Sequence, residues 1–359
     1  MKLKYLLFML LPLLYSEVRA QDPIFTQFFM VPEALNPAVT GLVNTWSAGV
    51  IHRRQWPDAN RQIDTQFGYF NNMVALPTGK YSTNYDENTI GLGCTILNNH
   101  EEFTGYNYSQ FNAVISYRVE LDYDWSLRFG LETGYGKKNY NFKNLLLEDQ
   151  ININDETISG ESIDPDVLNY SNTIDFLDVS AGLLLVNENL WLGAAFKHLN
   201  RPDISFKENG NVPLDLFLTV HGGYYLGAAD SPFMDSLGSP DLLITANYMR
   251  QSQYNRLDIA GIFQFSRFSF GVAAVTNPER RSSNSHLLTS VNPIATFNFG
   301  EFTFGYSYDA NTTKFGNSQG VHELSLTWQS SRRCDKCEGY NNYKVKLKRN
   351  GMNGYQKTR

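Results

Sequence analysis

The chain has 359 residues and a net charge of −6, with 21 Tyr, 24 Phe and 27 Gly against only 18% charged residues. Three cysteines are too few for a disulfide framework, and after the first twenty residues no stretch offers the about 20 continuous apolar residues of a membrane-spanning helix. Tyr, Phe and Gly in such excess suit barrel strands with aromatic girdles and small inward positions, and a mean hydropathy of −0.34 is no objection, because inward polar residues offset outward apolar ones.

Met1–Ala20 has the build of a secretory signal peptide. Lys2 and Lys4 are followed by the apolar run 6–14 and by Val18-Arg19-Ala20 before Gln21. An exported chain without an apolar helix belongs outside the cell or in the outer membrane. Residues 21–44 alternate poorly and carry Pro23, Pro32, Pro37 and Gly41. Proline cannot donate to a strand ladder, so this is expected to be an ordered non-strand segment with at most one short helical turn.

From Thr45 the period-2 pattern returns repeatedly. It predicts fourteen strands, at 45–53, 61–71, 88–98, 108–120, 124–137, 174–187, 189–198, 214–227, 240–250, 255–265, 267–276, 286–299, 301–309 and 321–329. The clearest pair lies within 106–136. Phe111, Ala113, Ile115 and Tyr117, then Leu127, Phe129, Leu131 and Tyr135, form the apolar face; Arg118, Glu120, Arg128 and Glu132 lie on the other. Strands of about ten residues or more, at roughly 3.3 Å each, span a bilayer when tilted. Links after even-numbered strands include the very short 121–123 and 187–189. Those after odd-numbered strands are longer, among them 54–60, 99–107, 138–173, 199–213, 277–285 and 310–320; 72–87, 228–239 and 251–254 break the rule. Short turns at one end and long loops at the other mark an outer-membrane barrel. The fold class expected is all-β: a transmembrane antiparallel up-and-down β-barrel of about 14 strands.

The lumen carries the functional expectations. Parity places Gln62, Asp64, Gln66, Arg118, Glu120, Arg128 and Glu132 inside, where they need polar partners. Residues 21–44 are long enough to fold inward as a partial plug, with Asn36-Pro37 making a turn whose amides pair with lumen side chains. At the outer rim, HRRQW offers Arg53 and Arg54 to lipopolysaccharide phosphates or a bound protein, with Trp56 as an interfacial aromatic. The reading divides the chain into a signal peptide (1–20), a leader or plug (21–44), a barrel (45–330) and a basic periplasmic tail (331–359). Within that tail, residues 332–359 carry +7, from nine Lys/Arg and two Asp/Glu, against −13 for the rest.

Catalytic and metal signals are weak. His52, His100, His198, His221, His286 and His322 are scattered, with no metalloprotease helix or nucleophile elbow. Cys334-Asp335-Lys336-Cys337 is half a zinc ribbon; a short-loop disulfide or two thiols is the other reading. Cys94 has lipid-facing parity. The basic 344–349 run could meet anionic lipid, a partner or a peptidoglycan-associated protein, or be solvated. The acids of the 138–173 loop lack calcium-loop spacing. No cofactor, metal or nucleic-acid partner is expected.

Several stretches together resemble the PorP/SprF family. They are QDPIFTQFFMVPEALNPAVTG at 21–41, HRRQW at 52–56, IGLGCTILNNHEEFTGYNYSQFNAVISYRV at 90–119, FKHLNRPDISF at 196–206, HGGYY at 221–225 and SYDANTTKFGNSQGVHELSLTW at 307–328. The resemblance implies a non-enzymatic outer-membrane barrel of the type IX secretion and gliding machinery. Its partners would be secretion components or a secreted surface adhesin, with outer-membrane lipid around it. A passive channel for small solutes is the alternative.

Overall fold

The computed structural model describes residues 22–43, 45–57, 62–75, 88–121, 125–140, 172–187, 189–207, 210–227, 241–265, 267–279, 287–312 and 320–330, with short pieces between 148 and 162. The expected signal peptide, most acids of the long loop, His286, and the tail with Cys334 and Cys337 lie outside these residues.

Fourteen strands form one closed antiparallel barrel in sequence order, with the last paired to the first. They are β1 (Ser47–Gln55), β2 (Ile63–Ala75), β3 (Asn88–Glu101), β4 (Tyr106–Glu120), β5 (Ser126–Asn139), β6 (Thr173–Val186), β7 (Leu190–Lys197), β8 (Phe217–Leu226), β9 (Asp241–Gln251), β10 (Tyr254–Phe265), β11 (Phe268–Thr276), β12 (Leu288–Phe299), β13 (Phe302–Asn311) and β14 (Val321–Gln329). Closure removes both sheet edges, which no single-layer sheet could leave bare in lipid. A small two-strand ribbon pairs 151–152 with 157–158 in the loop after β5.

The connections sort as expected, with one change. The tight reversals 187–189, 266–267 and 300–301 share one end of the barrel, the turn end; the loops 140–172 and 198–216 share the other, the loop end. The 99–107 loop shrinks to 102–105, because β3 and β4 continue their ladder to the pair Glu101–Tyr106. Glu101 caps that turn through the amides of Phe103 and Thr104.

The hairpin β4–β5 has the expected faces: Phe111, Ile115, Tyr117, Phe129, Leu131 and Tyr135 point outward, while Ser116, Arg128 and Glu132 are buried inside. Cys94 is likewise outward, in register with Phe70 and Ala113. In β2 the faces are reversed from expectation. Thr65, Phe67, Tyr69 and Asn71 point inward, whereas Asp64 and Gln66 lie on the outer wall, with Gln62 just before the strand bonded to Asp64. The reason lies in what fills the lumen. Phe67 and Tyr69 pack with Ile51, Phe25 and Val31, so this part of the interior is itself apolar.

Residues 22–43 occupy that interior. Phe28, Phe29, Met30, Leu35, Val39 and Leu42 are each at most 5% exposed and form one cluster with inward residues of β6–β12, among them Leu184, Trp191, Met249 and Ile262. The segment contains two 3-10 turns, Pro32–Ala34 and Pro37–Val39, where a single turn was expected. Proline at the first position suits both, since that N–H would be unsatisfied in any case. The direction of the segment is unexpected. Asp22 sits at the loop end, bonded to His198 and Gln251, and the chain then descends through the lumen to begin β1 at the turn end.

Candidate functional site: the occupied lumen

Three groups of wall residues hold the segment. The first lies on β13, β14 and β1. The Glu323 carboxylate, fully buried, accepts from two successive amides, Thr26 N–H and Gln27 N–H, each at 2.9 Å. Arg53 Nη1 lies 2.5 Å from Glu323 and 3.2 Å from Asp309, and the Thr26 hydroxyl donates to Asp309 at 2.9 Å. Gln27 completes the joint: its amide nitrogen donates to Ser307 (3.1 Å), and its carbonyl oxygen accepts from Ser325 (2.7 Å). Charge-assisted bonds of this kind are about twice as strong as neutral ones, and burying the carboxylates is tolerable only because each has such partners.

The second group is on β3–β8. Asn36 caps the second 3-10 turn, its Oδ1 accepting from Ala38 N–H at 2.9 Å. Its Nδ2 donates to Leu183 O at 2.9 Å and contacts His221 Nε2 at 3.1 Å. Arg128 donates from Nε to Ala38 O (3.1 Å) and from Nη2 to Thr40 O (2.9 Å), while Lys197 donates to Ala34 O at 2.7 Å. The turn was expected to offer amides. It offers carbonyls instead, because its own amides are used within the turn, Val39 N–H to Asn36 O and Thr40 N–H to Pro37 O. Close approach here depends on glycine. An ideal Cβ on Gly130 of β5 would lie 2.2 Å from Ala38 N, and one on Gly182 of β6 would lie 2.0 Å from Asn36 Oδ1.

The third group sits at the loop end. His198, with a φ of 61° and only 1% exposure, bridges two carboxylates, Asp178 (3.0 Å from Nδ1) and Asp22 (2.8 Å from Nε2). Burial alone would lower the His198 pKa, but the two carboxylates reverse this and hold it at about 9. Burial likewise opposes ionisation of Asp22, and His198 beside it overrides that to hold the carboxyl at about 2. The raised histidine contributes its full stabilisation below its ordinary value near 6.5 and loses it as pH rises through 9; the depressed aspartate contributes above about 4. The Asp22 end should therefore loosen on alkaline titration through pH 9, read as a fall in the amide protection factors, corrected for the intrinsic rise of exchange with pH, at residues 22–25. In His198→Ala the protection should be low already at pH 7; protection factors unchanged across that range in the wild type would refute the pairing.

The remaining expected residues fall in different places. Glu132 faces a cavity of about 30 Å³, room for a water, which it shares with Asp22, Gln110, Asp178, Lys197 and His198. Arg118 and Glu120 pair with each other at 3.2 Å near the turn end, Glu120 being exposed. Arg53 and Arg54 separate to opposite sides of the wall: Arg53 enters the lumen, whereas Arg54 stays outside, 2.9 Å from Asp64. Trp56 lies at the loop end with a φ of 51°, its N–H bonded to Gly320 O. The sequence reading missed Glu323, Asp309, Lys197 and Asp178. Glu323 and Asp309 stood inside the 307–328 stretch of the family resemblance and Lys197 inside 196–206, whereas Asp178 stood in none.

No curated protein matches the chain. Among solved structures it is similar to a TodX monoaromatic hydrocarbon channel deltaS2 mutant, with 8% identity over 83% of this chain and 93% of that one and a TM-score of 0.45. It is also similar to BamA from Haemophilus ducreyi lacking POTRA domains 1–3 (9% identity, 80% and 70% coverage, TM-score 0.42). A Rhodopseudomonas blastica porin gives 8% identity, 80% and 99% coverage and a TM-score of 0.34. The family described as "Type IX secretion system membrane protein PorP/SprF" matches residues 17–328. With its closed barrel and greasy outer wall, the chain belongs to the PorP/SprF family and is an outer-membrane protein that crosses with fourteen strands.

Proposed function

We propose that this barrel is a non-enzymatic platform of the type IX pathway, with its lumen plugged by residues 22–43. It holds or presents a secreted surface protein at its loop end, or couples to the secretion core from its turn end. The observation that carries the reading is the anchoring of the inner segment by three groups of wall residues, through Glu323, Arg128 and His198. An open lumen of fourteen strands would be wide enough to pass small solutes, whereas a segment packed into one buried apolar cluster with the inward wall supports a closed lumen and disfavours the passive-channel alternative. The long loops gathered at the loop end support an exterior position for it.

Crosslinking in intact outer membranes followed by purification of the barrel tests the platform. Recovery of a large secreted surface protein is expected for the first role, and of periplasmic secretion components for the second. Recovery of neither, together with steady solute conductance of the wild-type barrel in a planar bilayer, would replace the platform by a channel.

A further inference from the structure

The outer wall is not uniform around the barrel. On β5 the outward row Leu127, Phe129, Leu131, Thr133 and Tyr135 is greasy or neutral throughout, and on β6 so is Leu177, Val179, Ala181, Leu183 and Leu185. At about 3.4 Å per residue, five alternate residues cover about 27 Å along the strand, close to the usual apolar band of about 25 Å. Around the β14–β1–β2 seam the band is cut short. On β1 and the residue before it only Trp46, Ala48 and Val50 are apolar before His52 and Arg54; on β2 only Gly68 and Phe70 lie between Gln66 and Asn72. Three rows cover about 14 Å, roughly half.

Two features fill the shortened band. Toward the turn end lies a cleft of about 390 Å³ in the outer wall, lined by Val50, Ile96, Phe111, Leu326 and Trp328. It exists because position 68, in the outward row between Gln66 and Phe70, has no side chain; a Cβ there would sit 3.3 Å from Ile96 and 3.5 Å from Val50. One to two rows nearer the loop end, on the same strands, is a polar cluster. Arg54 pairs in register with His322 on one side and Asp64 on the other. The Arg54 side chain is 46% exposed and that of His52 38%; Asp64 braces both, at 2.9 and 3.4 Å. Tyr306 Oη lies 2.9 Å from His322 Nδ1. A guanidinium, two imidazoles and a phenol on a membrane-facing wall form donors for a phosphate at the headgroup level, and the cleft below them is continuous with the wall that meets lipid.

We infer that the β14–β1–β2 seam holds one phosphorylated acylated glycolipid of the lipid A class, with a chain in the cleft over Gly68 and a phosphate on Arg54, His52 and His322. The choice of lipid rests on the assignment of the loop end to the exterior, since the outer leaflet of an outer membrane is where such a lipid resides. Such a lipid would let the shortened band sit in the bilayer without exposing Arg54 and His52 to hydrocarbon.

The test is lipid retention by the full-length barrel, delipidated in detergent, then offered lipid A or phosphatidylethanolamine and examined by native mass spectrometry. One lipid A per barrel is expected for wild type. Gly68→Leu, which fills the cleft, and the surface variant His52→Ala/Arg54→Ala should each cut retention at least tenfold; Ala181→Leu on the far wall should not. Heat-modifiable gel mobility reports whether each variant is folded, and the surface pair keeps the test valid if Gly68→Leu is not. No retention by wild type, or equal retention by both variants, overturns the site. Retention of phosphatidylethanolamine instead, with the same dependence on the variants, overturns the lipid A assignment and with it the orientation, while leaving the platform reading to its own crosslinking test.

Discussion

Glu323→Ala is expected to cost about 3–5 kcal/mol, the cost of breaking a buried ion pair from one side, and to free the first half of the lumen segment. The substitution leaves Arg53 beside Asp309 alone and strips two amides, Thr26 N–H and Gln27 N–H, of their shared acceptor. Each orphaned buried donor adds its own desolvation cost of about 1–3 kcal/mol unless water reaches it. Water can reach it only if the segment lifts from β13 and β14. Two readouts should therefore move together: the urea midpoint for unfolding from lipid vesicles should fall, and protease cleavage within residues 22–31 should appear in the folded barrel. A lower midpoint without new cleavage would mean that Glu323 supports the β1–β14 seam, through Arg53, and does not hold the segment. Glu323→Gln keeps one acceptor oxygen and should show a smaller change in both readouts.

Gly130→Val should have the other large effect, for a steric reason. The new Cβ would meet the Ala38 nitrogen at 2.2 Å and the Pro37 carbonyl carbon at 2.3 Å, and both are backbone atoms that cannot rotate aside. Overpacking usually costs about 1–3 kcal/mol through side-chain shifts; here the Asn36–Thr40 turn would have to leave the wall, with loss of the Arg128 bonds to Ala38 O and Thr40 O. Solute conductance is expected to rise from near zero to that of an open lumen. The decisive comparison is with a chain lacking residues 22–40. That deletion should open the lumen by itself, and in its background Gly130→Val should change neither conductance nor stability, since nothing remains to clash with. An added cost of Gly130→Val in the deleted chain would place the glycine's role in the strand and not in accommodating the turn. Conductance unchanged by the deletion would show that the segment does not close the lumen.

How far the sequence carried this reading varies along the chain. The faces of the hairpin β4–β5 were legible, because its outer row is greasy and its inner row mostly polar or small, and period 2 then separates the two. The same rule misplaced Asp64 and Gln66. In β2 both faces carry aromatics, Phe67 and Tyr69 inward against Phe70 outward, so alternation reveals two faces but not which one meets lipid. Asn36 and Pro37 were legible as a turn, since the cap and the proline act on their own backbone. That the turn would present carbonyls to Arg128 was not, because its amides are consumed by bonds internal to the turn. Adjacent arginines gave no warning that Arg53 and Arg54 would part, although strand geometry demands it.

By itself the sequence determined what is local: fourteen stretches of period 2, the sorting of their turns, and a proline-rich leader unable to join them. These depend on neighbours a few residues apart, where propensity and spacing act directly. Only the tertiary structure decided what the lumen contains and which way the leader runs. Thr26 meets Glu323 across 297 residues of chain, and no pattern within either stretch encodes the other. Thr26 and Gln27 of the leader and Ser307, Asp309, Glu323 and Ser325 of β13 and β14 hold each other. That joint exists only once the barrel has closed around the segment.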